Sequence, residues 1–219
     1  MNRLEKTAMY GIGSAVRLLL LPVVLSGCQL NDVSEPGADF YYISTYKDLS
    51  HVGRVALVEL ENESNYPQVS TDATEALFLA LQKKQIFSLT VVRKDDPASR
   101  RLQLDFATNY TLAQLFAVRK TLQCNAVLVG TITEYRPYPH TTLGLHLRLL
   151  DLRDGELLWA LEQVWDSADK TTEARIKKYL EREMRSSLAR LPEQLVVVSP
   201  LKFLKFVGYE VAETFTSAK

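Results

Sequence analysis

Leu143, Leu145, Leu147 and Leu149 occupy every second position. Strict alternation buries its apolar members on one side of a β-strand, because successive side chains point to opposite faces. Asp154-Gly155 follows, the dipeptide of a two-residue type I′ turn, in which both positions need positive φ. Trp159, Leu161 and Trp165 then return to odd positions. The stretch predicts an antiparallel hairpin with one apolar face, and the rest of the chain must supply a layer to cover it.

The upstream residues supply candidates. Val52 to Leu60 is a nearly continuous β-branched and apolar run, the pattern of a strand buried on both faces. The loop Glu61 to Pro67 ends it. Asp72-Ala73-Thr74-Glu75 resembles a capping box, and Ala73, Ala76, Leu77, Ala80 and Leu81 continue at helical spacing to Lys83 and Lys84. Phe87 to Val92 predicts a second strand, and residues 93–108 a charged loop. Thr111-Leu112-Ala113-Gln114 opens a second helix, with Leu112, Leu115, Phe116 and Leu122 on its buried side. Ala126 to Tyr135 predicts a third strand. A third helix from about Thr172 to Leu188 places Ile176, Leu180, Met184 and Leu188 inward, and Pro192 stops it.

The fold class is therefore α/β: a mixed sheet of about five strands with helices packed on it, in the order β-α-β-α-β-β-β-α plus a C-terminal helix. That last helix lies in the segment from Pro200. Leu201, Leu204, Val207 and Val211 form one stripe and Phe203, Phe206 and Phe215 an adjoining arc. An apolar face this broad must be covered. It docks on its own domain, inserts at a membrane interface, or meets a partner subunit.

The N-terminus carries a different signal. Arg3, Lys6 and Arg17 precede the apolar run Leu18 to Val24, and Leu25-Ser26-Gly27-Cys28 follows it. A basic region, a short apolar stretch and small residues make a secretory signal peptide. The apolar stretch falls well short of the roughly 20 residues that span a bilayer. The tetrapeptide resembles the lipobox cut by bacterial lipoprotein signal peptidase, which implies lipidation of Cys28 with palmitate-type acyl chains. Several chains on one cysteine anchor a protein durably. Gln29 is not the aspartate that marks inner-membrane retention, so this analogy implies the periplasmic face of the outer membrane.

On this reading residues 1–27 are a signal peptide, 28–50 a lipidated tether, 51–190 the α/β domain and 191–219 a tail with an amphipathic helix. The polar run 29–38 gives a tether of about ten residues. Phe40, Tyr41, Tyr42 and Tyr46 end it, either packing on the domain or meeting a partner. The chain holds 26 basic and 26 acidic residues, and residues 28–219 carry about two net negative charges. That balance gives no footprint for nucleic acid. With Cys28 lipidated, Cys124 is the sole remaining thiol, and without a basic neighbour it reads as a buried structural cysteine.

Catalytic signatures are weak. Asp151-x-x-Asp154-Gly155-Glu156 lacks the twelve-residue ligand spacing of a calcium loop. His51, His140 and His146 are scattered, with no zinc spacing. No nucleophile elbow, Walker loop or dinucleotide fingerprint occurs in the mature chain. The expectation is no catalytic residue, no cofactor and no metal. Trp159 and Trp165, on one strand face, serve either the core or an exposed interface.

The segments GRVALVELEN (53–62), NAVLVGTITEYR (125–136) and LRLLDLRDGELLWA (147–160) resemble a recurrent lipoprotein domain. It is that of the curli-secretion channel (CsgG-like) lipoproteins and LpoB-type activators of penicillin-binding proteins. The N-terminal domain of TolB and the Pel polysaccharide-export lipoproteins share the fold. The resemblance covers residues 52–188. It implies an outer-membrane-anchored scaffold or accessory subunit in envelope assembly or secretion, working through a partner protein or a self-assembled ring. The alternative it leaves open is a monomeric activator of a peptidoglycan synthase. A carbohydrate-acting enzyme is a third reading, marked by two facing carboxylates in a cleft. No pair of 9–11-residue alternating segments is left over for a transmembrane pore, and residues 29–50 are too short for a long Pro-rich arm.

Overall fold

The computed structural model describes residue 38, residues 40–97, residue 99, residues 111–186 and residues 199–215. The strands are β1 (Tyr41–Ile43), β2 (Arg54–Val58), β3 (Glu61–Asn62), β4 (Ser88–Val92), β5 (Ala126–Arg136), β6 (Thr142–Asp151) and β7 (Leu157–Asp166). The helices are α1 (Gln68–Lys84), α2 (Leu112–Leu122), α3 (Lys170–Ser186) and α4 (Pro200–Thr214). One mixed sheet runs β1-β7-β6-β5-β2-β4, with β3 paired to β5. The β2–β4 and β2–β5 pairs are parallel, and β5, β6, β7 and β1 form an antiparallel meander.

The α/β class and the expected element order hold, with two short strands added. β1 comes from the aromatic segment 40–46, inside the stretch expected as tether: Tyr41 and Ile43 pack on the core while Phe40, Tyr42 and Tyr46 stay exposed. β3 continues the line of β2 along β5 and occupies the start of the expected loop.

Helix α1 begins one turn before the expected capping box. Pro67 stands at its N-cap without a side-chain cap bond. Val69 and Ser70 are buried, and Ser70 Oγ donates to the Leu60 carbonyl while Thr74 Oγ1 accepts from Leu60 N–H. These tertiary bonds hold residues 68–71 in the helix, so Asp72 lies inside it. α2 does form its box: Thr111 Oγ1 accepts from Gln114 N–H at 3.3 Å, and Gln114 Oε1 accepts from Thr111 N–H at 2.9 Å.

The β6–β7 turn also departs from expectation. Of its central residues only Gly155 has positive φ, +80°, so the turn is not type I′. Leu152 to Gly155 form a longer loop closed by Gly155 N–H to Asp151 O and Asp151 N–H to Glu156 O. Burial of Leu152 and the Leu152 N–H bond to Asn125 O pull the loop inward. A two-residue turn would leave that leucine in solvent.

Leu143, Leu145, Leu147 and Leu149 of β6, with Val55, Leu57, Leu128, Trp159 and Trp165, form one large cluster under α1, α3 and α4. Both tryptophans are fully buried, which settles them as core. α4 docks on its own domain: Phe203, Leu204, Phe206, Val207 and Val211 are buried, whereas Leu201 ends exposed. A Cβ on Gly208 would stand 2.8 Å from Ala76 O, so glycine permits the close α1–α4 crossing. Trp159 stacks on Phe215 with centroids 4.2 Å apart, and its Nε1–H donates to Thr214 Oγ1.

Candidate functional site

The opposite face of the sheet is built on the alternate residues. Cross-strand register lines up Tyr42, Ala160, Arg148 and Val129 on it. α2 covers its end near the β6–β7 turn, with Leu115 and Val118 packing on Ala56, Val127, Val129 and Leu152. Of the four side chains expected to be inward on α2, Leu115 and Leu122 pack on the sheet. Leu112 and Phe116 are 66% and 63% exposed, because the helix turns Val118 inward instead.

Away from α2, this face presents Phe40, Tyr42 and Val164 at 73%, 48% and 54% exposure. Glu162 is exposed beside them, and His146 and Arg148 are half-buried. The exposed apolar residues cluster because β1 is short. It pairs with β7 only over Trp159 to Leu161, extended by Glu162 N–H to Phe40 O.

A cleft of about 630 Å³ adjoins this patch, lined by Phe40, Thr133, Glu162, Val164, Asp169 and Arg175 among others. It holds two carboxylates. Asp169 Oδ2 accepts Thr172 N–H at 2.8 Å, capping α3, and that bond holds its carboxyl below the ordinary carboxylate range. A carboxylate kept ionised in a helix cap is poorly suited to act as a general acid. A second groove, about 1100 Å³, runs between residues 44–50, the end of α1 and Phe215, with Tyr46, Leu49 and Ile86 in its walls.

The strongest electrostatic cluster is at the β6–β7 turn. Lys47 Nζ lies 3.1 Å from Asp151 Oδ2 and 2.9 Å from Glu156 Oε2, and it also pairs with Asp154. Arg153 makes a forked contact with the same buried Asp151. Burial by itself would raise the Asp151 pKa. The Arg153 guanidinium, the Arg153 N–H and the Lys47 ammonium outweigh it and bring the carboxyl down to about 2. Burial opposes the charged form of Lys47 as well, but its three carboxylate partners win and raise its pKa. These groups lock the turn to the 44–51 segment. The sequence hid this network because Lys47 is more than a hundred residues from its partners.

Cys28 lies outside the described residues. Cys124 is 2% exposed on the α2 side of the sheet, and burial pushes its thiol pKa up. His51, His140 and His146 are not brought together: they sit in the 49–51 turn, the β5–β6 connection and the middle of β6. Among the described residues no group of three His, Cys, Asp or Glu side chains is arranged to hold a metal ion, and no helix is long and apolar enough to cross a membrane.

No family model and no curated protein sequence matches the chain. Several solved structures do. A PelC dodecamer from Paraburkholderia phytofirmans is 13% identical over 75% of this chain and 94% of that one, with a TM-score of 0.42. Lipoprotein GNA1162 from Neisseria meningitidis is 18% identical over 63% of this chain and 99% of that one, at 0.39. The LpoB C-terminal domain from Escherichia coli is 23% identical over 52% of this chain and 82% of that one, at 0.37. PelC and LpoB belong to the lipoprotein groups that the three sequence segments resemble. At these values they are likenesses of shape, and the chemistry of this chain is read from its own residues.

Proposed function

We propose that this protein is an envelope lipoprotein, anchored through lipidated Cys28 in the outer membrane with its domain on the periplasmic face. It acts there as a non-catalytic scaffold or accessory subunit in envelope assembly or secretion, through a partner protein or through further copies of itself in a ring. The observation that carries the reading is Leu25-Ser26-Gly27-Cys28 after its apolar run, joined by a short polar stretch to an α/β domain. Support comes from where the domain's charged groups are spent. Asp151, Arg153 and Lys47 fasten a turn and Asp169 caps a helix.

Two measurements test this. Cys28→Ser should abolish acyl labelling and leave the leader uncleaved. A variant still processed and membrane-bound overturns the anchor. The mass of the lipidated protein in detergent then divides the roles. A closed ring supports the scaffold, and a stable monomer that stimulates a peptidoglycan synthase replaces it with the activator.

A further inference from the structure

We infer that the open sheet face bearing Phe40, Tyr42 and Val164 is a membrane-docking surface, seated in the headgroup region of the bilayer that holds the lipid anchor; this rests on the lipidation of Cys28.

Chain length makes the first argument. Ala38 is already buried in the core, so residues 29–37 separate Cys28 from the domain. At about 3.3–3.6 Å per residue even a fully extended linker reaches on the order of 40 Å, and a flexible one averages much less. A domain of this size is itself about 40 Å across. The chain enters the domain at Ala38, just before β1, and the linker length keeps that edge within about one domain width of the bilayer.

The second argument is what that edge presents. Phe40 and Tyr42 project from alternate positions at the start of β1, on the side of the sheet opposite the helices α1, α3 and α4. Val164 stands on the same face of β7, beyond the point where β1 ends. All three are about half or more exposed. Tyrosine favours the membrane interface because its ring is apolar and its hydroxyl stays wet. Arg148 lies on the same face in the next strand, half-buried and already engaged within the domain, and Glu162 is exposed near it. The helical side offers no comparable cluster among the described residues. Its exposed large apolar side chains, Tyr46, Tyr66, Leu79 and Leu201, are spread over the 44–50 segment, the turn before α1, α1 itself and α4.

A tethered contact need not be strong. Anchoring turns docking into an intramolecular event at high effective concentration, so a few interfacial side chains suffice to orient the domain. The consequence is a fixed presentation: the β1–β7 face lies toward the lipid and the α1, α3 and α4 layer faces away from it.

The test uses the full-length, processed protein in vesicles of phosphatidylethanolamine and phosphatidylglycerol, with Trp reporters at Tyr42→Trp and, on the far side, Leu79→Trp. Trp159 and Trp165 are fully buried in both and give a common background. Docking predicts a blue shift of the position-42 emission and quenching by lipids brominated high on the acyl chain, with neither at position 79. Equal quenching at the two positions overturns the proposal, as does a blue shift at 42 that depends on protein concentration without quenching, which marks a second copy of the chain as the occupant. Intact mass judges the anchor separately. Acyl mass without quenching at 42 sinks the docking surface alone. Vesicle binding with quenching at 42 but no acyl mass sinks the lipidation at Cys28 and keeps the surface.

Discussion

On the sheet face carrying Leu143, Leu145, Leu147 and Leu149, helices α1, α3 and α4 close over the strands and the two tryptophans lose all contact with solvent. On the other face α2 covers the end near the β6–β7 turn, while Phe40, Tyr42 and Val164 are left uncovered by the described chain. Both faces belong to the same strands and carry apolar residues. The difference is what the chain supplies as cover, and it separates side chains that hold the fold from side chains left free to meet something else.

The sharpest way to break this comparison is at Trp159. Trp159→Ala removes the stacked contact with Phe215 and the bond to Thr214, and should cost about 3–5 kcal/mol. A loss of less than about 1 kcal/mol in unfolding free energy, read from urea titration, would show the helical face to be loosely packed. Asp151→Asn comes next. The folded Asp151 pKa of about 2 lies below its ordinary value, so the stability it contributes is complete above about pH 4 and disappears as the pH falls toward 2. At neutral pH the variant should lose about 2 kcal/mol. Unfolding curves recorded from pH 7 down to pH 2 should converge for the two proteins at the acid end.

An effect of similar size is expected at the helix crossing. Gly208→Ala forces a methyl against Ala76 O and should cost about 1–3 kcal/mol by pushing α4 off α1. Thermal unfolding measures it, and an unchanged midpoint would mean the helices separate freely. The smallest effects belong to the other face. Leu112→Ser, Phe116→Ser and Tyr42→Ser should each stay within about 0.5 kcal/mol of the parent. A loss as large as that of Trp159→Ala at any of them would mean that this face is a closed core.

Much of this was legible in the residues. Alternation in β6 and β7 located the meander, and the apolar run of β2 identified a strand covered on both faces. Thr111 with Gln114 marked the start of α2 to the residue, since both capping partners are local. The start of α1 was not legible, because the bonds from Ser70 and Thr74 to Leu60 depend on how the helix returns over β2. Val118 replaced Leu112 and Phe116 on the inner side of α2 for a similar reason. Periodicity finds a stripe, but the orientation of the helix on the sheet selects which flank of it is buried.

By itself the sequence determined the α/β class, the order of its main elements and the one-sided apolar pattern of the hairpin. Each of these is written in spacings of a few residues, where backbone periodicity and local hydrogen bonding dominate. Only the tertiary structure decided that α4 covers its own sheet, that Lys47 is bound into a carboxylate cluster at a distant turn, and that one sheet face stays open beside β1. Those outcomes depend on which surfaces the folded chain brings together. Packing and charge pairing act through space, between residues whose positions in sequence carry no trace of the meeting.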